Sequence, residues 1–285
     1  MKTGFNLLLW TTHVTEAEFP VIEALKTCGY DGVEIPLFEG DVNHFKRIGK
    51  ILSDLGLGAT AVTVMPDEAR NCISADPKCR AGGLDHLRWA LDCTAALNAD
   101  LLAGPFHQPL GLFTGSGPTE DELAWGADVH RQAADLAAER GLQLSIEPLN
   151  RFECYFLNTV EDAAAYVRRV DRPNFGLLYD TFHANIEEKD PLGCISTAIQ
   201  QINHVHISEN DRGTPGKGHV DWSGTFDALQ SSGYDGWLTI EAFGQALPDL
   251  AAATRVWRPF FPDREEVYRD GLALMQQGWR TAGKP

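Results

Sequence analysis

Short apolar runs alternate with amphipathic stretches along the whole chain. Runs suited to buried strands occupy residues 4–10, 32–35, 57–64, 101–103, 142–146, 174–180, 202–206 and 237–241. Helical stretches lie between them at 15–28, 41–55, 76–97, 118–140, 159–170, 191–201 and 226–232. In the first of these, Phe19, Ile22, Ala24 and Leu25 fall on one face, Thr15 and Glu18 form a capping pair, and Gly29 ends the helix. Thr119 and Glu122 form a second capping pair ahead of 120–140, which Gly141 stops. Residues 247–260 and 264–280 predict two more helices after the last strand. Eight strand–helix alternations without a linker or composition shift predict an α/β chain. The expected architecture is one domain over 1–285: a (β/α)8 barrel with extra C-terminal helices.

Several strands stop on a polar residue with chemistry to offer. The run LQLSI at 142–146 ends on Glu147 and is closed by Pro148, which cannot continue a strand ladder. NFGLLY ends on Asp180, INHVH on His206, and WLTI on Glu241. Successive steps from Glu147 through Asp180 and His206 to Glu241 are 33, 26 and 35 residues, the length of one strand–loop–helix–loop unit. Parallel strands joined this way bring all four side chains to one face. Three carboxylates and an imidazole gathered there repel one another unless a divalent cation sits among them. That donor set suits manganese, magnesium or cobalt better than structural zinc. His204, two residues before His206, falls on the same side of its strand but one layer deeper, and reads as structural. Glu34, near the end of GVEI, reads as orienting the site or pairing with a polar neighbour.

Composition narrows the class further. The chain has 285 residues, 44% hydrophobic and 22% charged, which is globular and ample for a large core. A net charge of −16 with no Lys/Arg run argues against nucleic acid as a partner. No apolar run is long enough to span a membrane, and the opening MKTGFNLLLW reads as a core strand rather than a signal peptide. Six cysteines without a CxxC pair fit reduced thiols in a cytoplasmic protein, Cys72 and Cys79 included although they flank one loop. The stretch Thr114 to Pro118 does not follow a strand in the dinucleotide-binding pattern, so no redox cofactor is expected.

The segments IEPLNRFE, YDTFH, HVHISENDRGTPGKGHVDW and TIEAFG resemble the D-tagatose 3-epimerase family of ketose epimerases, within the wider xylose-isomerase-like barrel superfamily. The likeness covers nearly the whole chain and is strongest over 145–243. It implies a divalent metal, usually manganese, on Glu147, Asp180, His206 and Glu241, the set already reached from spacing. It implies that Glu147 and Glu241 act as an acid/base pair on opposite faces of a sugar. It also implies that Glu153, His183 and Arg212 bind the sugar around O1 to O3. The chemistry is coherent: inverting the carbon next to a ketone removes an acidic C–H and returns a proton to the other face through a cis-enediolate.

Asn6, Trp10, His13, His107 and Gln108 follow the first and fourth strands, where the family often has apolar or aromatic residues. Polar Asn6 and His107 there read as substrate-binding, and a polar pocket suits a longer, more hydroxylated or phosphorylated sugar. Glu153 has a plainer alternative, an ion pair with Arg151. The same metal centre also serves an aldose–ketose or hydroxypyruvate-type isomerase, or a lyase like the inosose dehydratases. A catalytically silent sugar- or metal-binding barrel is the non-enzyme reading, and the Glu147/Glu241 pair speaks against it. Trp125 reads as core or interface. In the terminal stretches, Trp257, Phe260, Phe261 and Trp279 read as exposed aromatics of an oligomer interface, so a homodimer or homotetramer is expected.

Overall fold

In the computed structural model, which describes residues 1–283, eight parallel strands stand side by side. They are β1 (Lys2–Phe5), β2 (Gly32–Pro36), β3 (Gly58–Val62), β4 (Leu101–Gly104), β5 (Gln143–Ile146), β6 (Phe175–Asp180), β7 (Ile202–Ile207) and β8 (Trp237–Ile240). The hydrogen-bonded order is β1-β8-β7-β6-β5-β4-β3-β2, and a parallel bridge between Asn6 and Glu34 brings β1 back to β2. The expected (β/α)8 barrel is present. Around it lie α1 (Phe19–Cys28), α2 (Val42–Asp54), α3 (Pro77–Ala96), α4 (Glu120–Glu139), α5 (Val160–Val170), α6 (Thr181–Glu187), α7 (Gly193–Ala198), α8 (Trp222–Ser231), α9 (Pro248–Ala253) and α10 (Arg264–Thr281).

The local signals work as their chemistry requires. Thr119 and Glu122 cap α4 reciprocally: the Glu122 backbone N–H donates to the Thr119 hydroxyl, and Glu122 Oε2 accepts from the Thr119 N–H at 2.7 Å. Asp41 and Asp76 cap α2 and α3 in the simpler way, each worth about 1 kcal/mol. Thr15 and Glu18 also cap, but around a 3₁₀ turn (Glu16–Glu18) that feeds α1.

Four boundaries depart from the pattern. The first strand ends at Phe5, not residue 10, because Asn6 Oδ1 accepts the Leu8 N–H at 2.9 Å and turns Leu7–Leu9 into a 3₁₀ helix. The helix expected over 247–260 stops at Ala253: Arg255 takes a left-handed φ of 61° and the Val256 N–H turns back to the Ala251 carbonyl. A short helix, α6, starts directly on the last residue of β6. Asp221 caps α8, which begins at Trp222, four residues before its expected start at Phe226.

The barrel floor is closed by one side chain. Trp237 reaches across the interior toward Gly32 and Gly58, where a Cβ would lie 2.5 and 3.0 Å from its ring. Trp237 packs there with Leu101, Ala103 and Leu178, and beside them Glu34, Thr60 and His204 are fully buried in a hydrogen-bonded group. The strand ends above them carry the site. Of the terminal aromatics, only Trp257 is strongly exposed; Phe260, Phe261 and Trp279 are half-buried against the barrel, which weakens the argument for an oligomer from that surface. All six cysteines are unpaired, and among the described residues no helix is long and apolar enough to cross a membrane.

Candidate metal centre and sugar-binding cavity

Strand register decides which side chains meet. Asp180, the last residue of β6, pairs directly with His206 of β7. Glu147 and Glu241 follow the last residues of β5 and β8, their N–H groups still bonded to the neighbouring strands at Gly104 and Ile207. The result is the convergence expected from spacing. One ligand atom from each of Glu147, Asp180, His206 and Glu241 lies within 4.8 Å of all the others, and all four residues are buried.

The orientation of these donors fits a cation. Asp180 uses Oδ1 to cap α6, accepting the Phe182 and His183 N–H groups, which leaves Oδ2 buried without a hydrogen-bond partner. His206 turns Nε2 to Glu34 at 2.8 Å and leaves Nδ1 likewise unpartnered, 3.6 Å from Asp180 Oδ2 and 3.4 Å from Glu241 Oε1. Buried polar atoms without partners are rare and costly. Two of them aimed at one point between carboxylates are the donors a hard divalent cation needs. Burial and the neighbouring Glu241 push the Glu147 carboxyl well above the ordinary carboxylate range. Burial alone would lower the His206 imidazole, but Glu34 and Glu241 outweigh it and raise it well above its usual value. Both shifts express the same excess of negative charge.

Behind the ligands stands Glu34. It is inside β2, and its carboxylate accepts from His204, His206, Thr60 and Asn6. Burial would raise its carboxyl, yet His206 and His204 hold it far below the usual range. His204 is fully buried one layer below His206, its Nε2 2.8 Å from Glu34 Oε2.

The second group of expected residues sits above the ligands. Both ring nitrogens of His183 face donors: the Asn150 backbone N–H donates to Nδ1 at 2.9 Å, and Arg212 Nη2 lies 3.2 Å from Nε2, which is itself 3.6 Å from Glu147 Oε1. Burial and nearby Arg212 lower this imidazole to about 3, which keeps it neutral. Arg212 Nη1 donates to Glu241 Oε2 at 2.6 Å, and Nη2 lies 3.5 Å from Glu153 Oε1. Its guanidinium is held between the rings of Phe182 and Phe243, 3.8 and 4.7 Å from their centroids. Glu153 therefore faces Arg212 and Asn150, whereas Arg151 pairs with Glu187.

Asn6 and His107 stand elsewhere than a sugar-binding role requires. Neither lines the cavity. The Asn6 amide spends its Nδ2 on Glu34 and Glu241 and its Oδ1 on Leu8, so no polar atom remains for a ligand. His107 is fully buried behind Glu147, with Nε2 3.2 Å from that residue's carbonyl oxygen and its ring against Phe156. Sequence reasoning also passed over Asn150, which orients His183, and Glu209, whose carboxylate gathers the loop that carries Arg212.

A cavity of about 380 Å³ opens above this floor. Glu147, Glu153, His183, Arg212 and Glu241 form its polar end. The opposite walls are apolar, built from Leu8, Phe38, Val62, Met65, Leu110 and Leu250, with Asp249 and two threonines at the mouth. This corrects the expectation of a polar pocket, which rested on Asn6 and His107.

Comparison with known proteins agrees with the geometry. The model of the xylose isomerase-like TIM barrel family matches residues 22–278. The chain belongs to this family. Within the xylose isomerase-like barrels it is similar to a probable ketose 3-epimerase of Synechocystis sp., 32% identical over 99% of this chain and 98% of the relative. It is likewise similar to a ketose 3-epimerase of Arthrobacter globiformis, 33% identical over 94% of this chain and 93% of that protein. Among solved structures, a D-allulose 3-epimerase from Methylomonas sp. in complex with D-allulose superposes with a TM-score of 0.90 at 31% identity, covering 97% of this chain and 96% of that one.

Proposed function

We propose that this protein epimerises C3 of an unphosphorylated ketose, with Glu147 and Glu241 as the acid/base pair. The observation that carries the proposal is the placement of these two carboxyls. They come from β5 and β8, with the ligand-bearing β6 and β7 between them, and both open onto the same cavity floor. One glutamate takes the C3 proton and the other returns a proton to the opposite face; the reverse reaction exchanges the roles. Arg212 with its guanidinium and His183 with its imidazole meet the sugar oxygens that gain charge in the enediolate. Glu153 accepts from the hydroxyl beside them. Glu147, Asp180, His206 and Glu241 would hold a divalent cation, which would supply Lewis-acid stabilisation of the developing negative charge. Manganese is the cation proposed, and magnesium or cobalt suits the same donors.

Names of the relatives support the reaction class: two are called ketose 3-epimerases, one of them as probable. The lining favours a free sugar. Arg212 is the one cationic side chain among the lining residues, and it is committed to Glu241 and Glu153. A phosphate at the far end would meet apolar walls and Asp249.

The test is a turnover screen of the manganese-loaded protein against free C4–C6 ketoses and their phosphates in D2O, followed by NMR. Deuterium at C3 with a new 3-epimer is expected. Deuterium at C1 or C2 with an aldose would make the protein an isomerase. No exchange with any sugar, despite tight metal binding, would overturn the epimerase reading in favour of a lyase or a silent barrel.

A further inference from the structure

We propose that Glu34 is the positioning residue of the metal centre: its carboxylate fixes the ring tautomer of His206 and, through Asn6, the placement of Glu241. The inference rests on the metal-binding part of the function proposed above and needs no assumption about the sugar.

Glu34 is fully buried and does not line the cavity, so it touches neither substrate nor solvent. All of its effect passes through its four partners. Oε1 accepts from His206 Nε2 at 2.8 Å and from Asn6 Nδ2 at 3.0 Å. Oε2 accepts from His204 Nε2 at 2.8 Å and from the Thr60 hydroxyl at 2.9 Å. A carboxylate only accepts, so both imidazoles present Nε2–H to it. In neutral His206 that leaves Nδ1 bare, and Nδ1 is the atom turned toward Asp180 and Glu241. The Asn6 amide is fixed as firmly. Its Oδ1 is taken by the Leu8 N–H, so its NH2 faces both Glu34 Oε1 and Glu241 Oε1. Two of the four ligands are thus referenced to one buried carboxylate. Outer partners of this kind hold ring orientation and tautomer, and removing them typically costs about 10- to 100-fold in metal affinity.

The two oxygens are not equivalent, and this makes the test sharp. Glu34→Gln keeps the shape but replaces one oxygen with an NH2 group. The side facing His206 and Asn6 meets an Asn6 NH2 that cannot turn around. The side facing Thr60 and His204 is tolerant: the hydroxyl can rotate to accept, and His204 Nδ1 has no partner to lose. The new NH2 therefore settles against Thr60 and His204, and His204 moves its proton to Nδ1. His206 keeps its proton on Nε2. In Glu34→Leu no acceptor remains on either side.

The experiment measures Mn2+ affinity by calorimetry for wild type, Glu34→Gln and Glu34→Leu. Imidazole tautomers are read by long-range 1H–15N NMR on the Mg2+-loaded wild type and Glu34→Gln. Expected are Nε2–H at both rings in the wild type and a switch to Nδ1–H at His204 alone in Glu34→Gln. Affinity should fall by less than about tenfold in Glu34→Gln and by about 100-fold in Glu34→Leu. If Glu34→Leu does not fold, the His204 switch in Glu34→Gln still decides. Unchanged tautomers in Glu34→Gln, or a folded Glu34→Leu with wild-type affinity, would overturn the proposal. A wild type that binds no Mn2+ would instead remove the metal reading beneath it, and failure to turn over a ketose would leave the proposal intact.

Discussion

Glu209 lies three residues after the candidate metal donor His206 and outside the cavity, yet the structure gives it control of Arg212. Its Oε1 accepts the backbone N–H groups of Asn210 and Val220 at 3.0 and 3.1 Å. Its Oε2 accepts the Gly216 N–H at 2.8 Å and the Trp222 indole N–H at 2.9 Å. Its own carbonyl accepts the N–H of Arg212, which sits at a left-handed φ of 68°. One carboxylate therefore ties both ends of the loop from β7 to α8. Burial would raise the Glu209 carboxyl, but these four donors together lower it. Glu209→Gln preserves size and turns one acceptor atom into a donor that faces two donors. Two bonds to a charged acceptor are lost, each worth about 1.5 kcal/mol, for a cost of about 3 kcal/mol. In a chain of this length that lowers the melting temperature by about 6 °C. Arg212 should lose its fixed place over Glu241, so kcat/KM for the ketose falls while Mn2+ affinity, which depends on the strand ends, stays within about threefold. Urea and thermal unfolding followed by circular dichroism, with kcat/KM and metal titration beside them, make the measurement. A Glu209→Gln protein that melts within 1 °C of wild type with unchanged kcat/KM would refute the reasoning.

Three further outcomes are expected. His130 is buried against Tyr166 and the Phe106 carbonyl, and burial lowers it to about 4; the unfolded chain takes the proton first, so stability is lost as pH falls from about 6.5 to 4, by about 3 kcal/mol, and His130→Gln should flatten that part of the urea-midpoint profile. Gly32→Ala sets a Cβ 2.5 Å from both the Trp237 ring and the Gly58 carbonyl oxygen, so unfolding free energy should drop by about 2 kcal/mol or more, measured by urea denaturation. Glu147→Gln should cut turnover by about a hundredfold or more while sugar binding, followed calorimetrically, persists; equal loss of both would contradict an acid/base role.

The parts legible from sequence are those written along a single element. Short apolar runs located the strands, and capping pairs such as Thr119/Glu122 located helix starts. The candidate metal donors were legible because parallel strands project their C-terminal residues to one face, so spacing alone predicted a convergence that register then produced. Elements were misjudged where a polar side chain serves two purposes. Asp180 is at once a strand end and the cap of α6, and the helix it starts is too short to show a period. Asn6 looked like a cavity residue because it follows a strand, but its Oδ1 folds the chain back within two residues and turns the amide inward. What connects Glu34 to His204 and His206 is a contact across about 170 positions that no local pattern encodes. The only trace is an acid in the middle of an apolar strand, which requires a buried partner.

The division of the cavity into a polar end and apolar walls carries a consequence for selectivity. Every charged or hydrogen-bonding side chain deep in the cavity clusters where the first three carbons of a ketose would lie, while the walls beyond are Leu8, Phe38, Val62, Met65, Leu110 and Leu250. A site that hydrogen-bonds a hydroxyl rejects the analogue lacking it by about 10⁴-fold, because its own buried polar groups are left unpaired; an apolar wall has nothing to leave unpaired. Removing the C6 hydroxyl should therefore cost this protein little, since the remaining candidates to meet it are Thr12, Asp249 and Thr254 at the wet mouth. A 6-deoxyketose should be epimerised with kcat/KM within about threefold of the parent ketohexose, whereas a 1-deoxyketose, which keeps its C3 stereocentre but lacks a hydroxyl at the polar end, should lose about 10⁴-fold in kcat/KM. A hundredfold or greater loss with the 6-deoxy sugar would mean that the far end is read by hydrogen bonds after all, and that the apolar walls rearrange around the sugar when it binds.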